Sequence, residues 1–150
     1  MKKTKVFIDT NFWLIPHRYK IDIFSELDRL SLGNYEPVIS KGVIKELEGI
    51  RRSAKGEDKI AANVGLELIK RRKLKVLLSK TPHQEEDVDK FILAFAEKGD
   101  NKKNFIVCTN DKELREKLKT KGVRVIIMKE KKKLDFFLVL FLSLLFLNFS

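Results

Sequence analysis

Four acidic residues stand where carboxylates can do chemistry. Val6-Phe7-Ile8 runs into Asp9-Thr10-Asn11, and Phe105-Ile106-Val107-Cys108 runs into Thr109-Asn110-Asp111. Each is a short apolar run ended by an acid, the pattern of a buried strand that delivers a carboxylate at its carboxyl end. Either acid alone reads first as a helix cap, since Asp, Asn and Thr satisfy orphan N–H groups. Two such turns in one parallel sheet aim both carboxylates into one crevice, beyond the carboxyl ends of the strands. Glu46 follows Val43 by three residues and precedes Ile50 by four. It is expected along the apolar stripe of a helix, where an acid needs a reason; the alternative is a boundary position with the carboxylate reaching out to solvent. Glu48 lies off that stripe and reads as solvated. Asp89, with Ile92 and Leu93 at i+3 and i+4, is expected to face inward from an enclosed helix. Glu85, Glu86 and Asp87 lie in or near the first turns of the same helix, where the helix dipole accounts for them.

Four carboxylates in one crevice repel one another and call for a cation. An all-oxygen donor set is the ligand set of Mg²⁺ or Mn²⁺. Two such ions about 4 Å apart activate water and stabilise the leaving oxygen in phosphodiester hydrolysis. His17 and His83 have no ligand-like spacing and read as surface or loop residues. The single Cys108 excludes an internal disulfide and the usual thiolate zinc sites, fits a reducing cytoplasm, and reads as a small buried hydrophobe.

The elements that position these acids follow from hydrophobic spacing. Apolar runs at 5–8, 37–39, 75–78, 105–108 and 123–128 predict strands, and helical spacing predicts helices over 21–32, 41–52, 58–72, 85–98 and 112–120. Strands alternating with helices predict parallel βαβ units in a three-layer α/β/α sandwich. Gly99 and Gly122 fall where left-handed residues end helices. The chain of 150 residues predicts one domain, over 1–130, followed by a basic run and apolar tail over 131–150. In residues 134–150, 13 of 17 are Leu, Phe or Val. The 14 residues of 136–149 reach only about 21 Å as a helix, short of a bilayer core of about 30 Å. The tail is therefore expected to lie at a membrane surface beside the lysines of 129–133, or to pack against a second subunit.

The sequence resembles the PIN-domain nucleases over about residues 4–129. The resemblance rests on Val6-Phe7-Ile8-Asp9-Thr10-Asn11, on Val38-Ile39-Ser40 followed by Glu46-Leu47, on Val88-Asp89-Lys90-Phe91-Ile92-Leu93, and on Thr109-Asn110-Asp111-Lys112-Glu113-Leu114. It implies a Rossmann-like domain whose acidic quartet binds Mg²⁺ or Mn²⁺ and cleaves single-stranded RNA. By position the quartet is Asp9, Glu46, Asp89 and Asp111, with Asn11 and Thr109 as polar supports. Where many relatives carry a second Asp directly after the third acid, this chain has Lys90. The sequence looks most like archaeal members close to the VapC-type toxins and the rRNA-processing endonucleases.

With 32 Lys plus Arg against 21 Asp plus Glu, the net charge of +11 predicts a polyanionic partner, RNA. Arg51, Arg52 and Lys55, and a second cluster of Lys70, Arg71 and Arg72, are expected to line the rim and follow the phosphate backbone. Trp13 reads as core packing ahead of base stacking. The expected activity is endoribonuclease action on single-stranded or loop RNA, with rRNA processing as one role. The alternatives are a toxin neutralised by an antitoxin and a non-catalytic RNA-binding module; a homodimer and an RNA-processing complex are further expected partners.

Overall fold

In the computed structural model, which describes residues 3–79 and 87–138, the five expected apolar runs form strands. They are β1 (Thr4–Ile8), β2 (Tyr35–Ser40), β3 (Lys75–Leu77), β4 (Phe105–Cys108) and β5 (Arg124–Lys129). Val6, Phe7, Ile8 and all of Phe105–Cys108 are wholly buried. Such runs are continuous rather than alternating because helices cover both faces of the sheet. A sixth strand, β6 (Lys133–Phe136), completes the order β3-β2-β1-β4-β5-β6. All pairings are parallel except β5 with β6. From β1 the chain builds outward through β2 and β3, then restarts on the other side with β4. This reversal opens a crevice beyond the carboxyl ends of β1 and β4.

Among the described residues the helices are α1 (Ile15–Tyr19), α2 (Ile23–Arg29), α3 (Lys41–Ser53), α4 (Glu57–Arg71), α5 (Val88–Glu97) and α6 (Lys112–Thr120). Three match the expected spans to within one residue. The segment expected over 21–32 is shorter because the Asp22 carboxylate caps it, accepting from Phe24 N and Ser25 N, and Ser31 turns left-handed at φ 55°. In the same way Asp87 caps α5 by accepting from Lys90 N, so the helix begins at Val88 rather than 85. Gly122 lies at φ 78° just past α6, the conformation a side chain disfavours. The 3-10 turns Thr10–Leu14 and Asn101–Asn104, and α1, carry no periodicity long enough to announce them.

Trp13, wholly buried, donates its indole N–H to Ile8 O at 3.0 Å. Helix α4 meets it through Gly65, where an added Cβ would stand 2.6 Å from Trp13 O. The expected core role of Trp13 is therefore the observed one.

The sheet is mixed, and the fold does not end at residue 130 as the composition suggests. A turn with Glu130 and Lys131 both at φ 55° reverses the chain, a backbone sign that matches strand twist in hairpins. Leu134 then sits fully buried, its N–H donating to Glu26 Oε1 and its carbonyl accepting from Arg29 Nη2. Composition hides this because an edge strand and an apolar tail look alike when they adjoin. The tail expectation beyond residue 138 falls outside the described residues. Among the described residues no helix is long and apolar enough to cross a membrane. A chain ending at Lys133 should be less stable than one ending at Leu138 by at least about 2 kcal/mol, the worth of burying one Leu. Equal melting temperatures for the two would show that β6 contributes nothing.

Candidate active site

Strand β1 ends by passing its pairing one step further: Asp9 N donates to Cys108 O at 3.0 Å. This fixes the Asp9 backbone at the centre of the sheet. Its carboxylate accepts from Thr10 N at 2.8 Å and, on the other oxygen, from Thr109 Oγ1 at 2.7 Å. Thr109, fully buried, also accepts from Asp111 N at 3.1 Å, so one hydroxyl ties the two strand-end turns together. Asn11 adds a second tie, its Oδ1 accepting from Asn110 N at 3.2 Å, while its Nδ2 lies 3.5 Å from Asp9 Oδ2. The two polar supports named from the resemblance thus join the turns that carry Asp9 and Asp111. Asp111 also caps α6, accepting from Leu114 N, so cap and crevice residue are one and the same here.

A cavity of about 800 Å³ at this end of the sheet is lined by Asp9, Asp111, Glu46 and Asp89 together with Asp87 and Lys90. The structure therefore brings all four predicted acids to one crevice. Two of them reach it differently from the expectation. On α3 the buried stripe is Val43 and Leu47, whereas Glu46 is exposed at the rim and Glu48 is half-buried. The boundary alternative is the observed one, because Glu46 precedes Leu47 by one residue, a turn of about 100° off the stripe. Its carboxylate accepts from the Thr10 hydroxyl. Asp89 is likewise exposed at the rim, with Val88, Phe91 and Ile92 taking the buried face of α5.

Sequence reasoning missed Thr10, Asn110 and the crevice position of Asp87. Thr10 stands between two residues already singled out, but which way a 3-10 turn aims a side chain is not a local property. Asp87 is a cap, as the dipole argument implies, and lines the crevice because the amino end of α5 points there. His17 is a partly exposed residue of α1, bonded at the surface to Glu57 Oε2 at 2.6 Å, and so on a helix rather than in a loop. His83 lies outside the described residues. Cys108 is buried, and burial pushes its thiol well up.

Charge accumulates in this crevice. Burial raises the Asp9 carboxyl above its ordinary range, the hydrogen bonds from Thr109 and Thr10 pull it back, and Glu46 and Asp111 push it up again. Glu46 is raised by desolvation and by Asp89 and Asp87, against the bond from Thr10. Asp89 is raised to about 6, by desolvation first and then by Asp9, Asp111 and Asp87. Lys90 is the one basic residue among the described lining residues. The oxygens are the donor set of a hard divalent cation, and their mutual repulsion is what such a cation would relieve. Among the described residues the side chains as they stand form no ready-made group of three or more ligands, so closing on an ion would require rotation of the rim acids Glu46 and Asp89.

The raised Asp89 value has a consequence for stability. A carboxyl whose folded pKa lies above its unfolded value destabilises the fold when ionised, at pH above the folded value, and not at all once both states are protonated. In metal-free protein, Asp89→Asn should therefore melt at the same temperature or higher at pH 8. That advantage should shrink as pH falls through about 6 toward 4. Thermal melts across this range check it; an advantage that grows toward acid pH would contradict the assignment.

The basic clusters part company. Arg51, Arg52 and Lys55 are exposed just beyond Ile50, which lines the crevice. Lys70, Arg71 and Arg72 lie at the opposite end of the sheet. Helix α4 delivers them to the start of β3, where Arg72 stacks 4.2 Å from the Phe24 ring and Lys75 pairs with Glu36 near the start of β2. The sequence expectation that both clusters line one rim is corrected by helix direction.

A PIN-like domain family model matches residues 6–131. The chain is 34% identical over 135 residues to Ribonuclease VapC4 of Methanocaldococcus jannaschii, covering 89% of this chain and 96% of that protein. It is 29% identical over 126 residues to Ribonuclease VapC9 of Archaeoglobus fulgidus, covering 84% of each. The PIN domain endonuclease Utp24 superposes with a TM-score of 0.70 at 24% identity, covering 90% of this chain and 92% of that one, a likeness of fold. With the acids at the strand ends, the six-stranded sheet and the family match over most of its length, the chain belongs to the PIN-like domain family.

Proposed function

We propose that this protein is a metal-dependent endoribonuclease acting on single-stranded or loop RNA. The observation that carries the reading is the convergence of Asp9, Glu46, Asp89 and Asp111 from four separate elements on one crevice. The ribonuclease names of the two curated relatives support it. Asp9, Glu46, Asp89 and Asp111 would hold Mg²⁺ or Mn²⁺. Such an ion supplies positive charge against the scissile phosphate and makes water a better nucleophile. The chain's own contribution is positioning: Thr109 and Thr10 fix both oxygens of Asp9, and Thr109 holds the turn of Asp111. Arg51, Arg52 and Lys55 would hold backbone phosphates on the crevice side. Single-stranded RNA in Mg²⁺ or Mn²⁺ should be cut internally and EDTA should stop the reaction; no cleavage with either metal would sink the proposal.

Replacing Arg51 and Arg52 with Ala should weaken RNA binding and lower the salt slope of log affinity by about 0.7 per lost contact on a single strand. An unchanged slope would make these arginines a solvated face. The match over 96% of Ribonuclease VapC4 favours a toxin with an antitoxin partner as the second reading, ahead of rRNA processing. Growth arrest on expression, absent in Asp9→Asn, is its test.

A further inference from the structure

A second cavity adjoins the acidic crevice, and Asn11 lines both. It measures about 360 Å³ and is walled by Arg18, Tyr19, Asn110, Arg115 and Met128. The two arginines differ. Arg18 is paired with Asp58, so its charge is met within the protein. Arg115, on α6, has its guanidinium 4.6 Å from the ring of Phe137, and its Nε is buried without a hydrogen-bond partner. A buried N–H left unpaired is costly, and more so when it belongs to a charged group. Arg115 itself lines the cavity, so a guanidinium with an unmet donor stands where an acceptor can reach it.

We propose that this cavity is a phosphate subsite, in which Arg115 binds the phosphodiester next to the one in the acidic crevice. On the ribonuclease reading above, it holds the adjoining nucleotide of the RNA. Guanidinium is the side-chain group best shaped for a phosphate, which it can bind through two parallel N–H donors. Phe137 stacks on the guanidinium and so restricts its orientation. Tyr19 and Met128 offer ring and apolar surface against which a base can rest. The carboxylates and this cavity share the Asn11 and Asn110 network: Asn110 N donates to Asn11 Oδ1, and Asn110 Oδ1 accepts from Met128 N at 2.9 Å. A strand leaving the crevice past Asn11, which lines both cavities, would therefore meet Arg115. The short segment after β6, read from composition as an appendage, then acquires a role: Phe137 is the positioning residue for Arg115.

The experiment measures binding of a fluorescent oligouridylate, about a dozen nucleotides long, by anisotropy in EDTA across a salt series. Arg115→Gln should weaken binding about tenfold, the worth of one charge-assisted bond, and lower the slope by about 0.7. Arg115→Lys should keep the wild-type slope. Asn110→Asp, nearly isosteric and still able to accept from Met128 N, should weaken binding by placing negative charge in the cavity; this variant decides the matter if Arg115→Gln does not fold. Binding by folded Arg115→Gln or Asn110→Asp equal to wild type would overturn the subsite, as would a weakened affinity with an unchanged slope. Because no cleavage is required, a protein that cut no RNA but lost binding in these variants would overturn the enzyme reading and keep the subsite.

Discussion

Asp9→Asn should fold normally and lose RNA cleavage in Mg²⁺ or Mn²⁺ by more than about a hundredfold. Removing a residue that merely orients a metal ligand already costs about ten- to a hundredfold, and Asp9 is placed as a ligand itself. The fold should survive because the amide matches the carboxylate in shape. One of the two hydrogen bonds, from Thr10 N or Thr109 Oγ1, must reorganise, a cost of about 1 kcal/mol. Against that, the substitution removes a buried charge that Glu46 and Asp111 oppose. Without metal, the melting temperature should hold or rise; with metal, stabilisation should shrink. Asp111→Asn, Asp89→Asn and Glu46→Gln should behave alike. Asp87→Asn is the informative control: Asn caps a helix as well as Asp, and the residue should retain most activity although it lines the crevice. Full activity in Asp9→Asn, or loss in Asp87→Asn with activity kept in Asp89→Asn, would overturn the quartet.

Trp13→Ala should destabilise the protein by about 3 to 5 kcal/mol, the range for truncating a large buried aromatic. Three supports go at once. The ring is wholly buried, packs 6.0 Å from Phe24 between centroids, and ties Ile8 O through its indole N–H. Gly65 has no side chain to fill the space, its backbone having come close because it lacks one. Trp13→Phe should cost less, keeping much of the packing but leaving Ile8 O without its donor. Urea unfolding of both variants measures the difference. A loss under about 1 kcal/mol for Trp13→Ala would mean that the turn after Asp9 is held by something else. Since that turn carries Asp9 and Asn11, activity in Trp13→Phe should fall more than its stability does.

The five parallel strands and the strand-end acids Asp9 and Asp111 are legible in the residues themselves. Their signals are local: apolar runs of strand length, two of them leading into an acid, with helical spacing between. The involvement of Glu46 and Asp89 is legible as well, but their manner is not, since both stand at the rim rather than on buried faces. Helical phase places a residue relative to its own helix only; what lies opposite the flank of a stripe is settled by the neighbouring element, here Thr10 for Glu46.

What the tertiary structure alone decided has one physical reason, that direction and pairing are non-local. Lys70–Arg72 and Arg51–Lys55 look alike as charge runs. Yet α4 ends beside the amino ends of the strands, while Arg51 follows a residue of the crevice wall. Leu134 resembles the apolar residues that follow it until pairing with β5 makes it part of the sheet and Glu26 and Arg29, over a hundred positions away, bind its backbone. Arg115 looks like any surface arginine of a charged helix. Only the hairpin that brings Phe137 against it, and the turn that brings Asn11 beside Asn110, leave it half-buried with its Nε unpaired beside the second cavity.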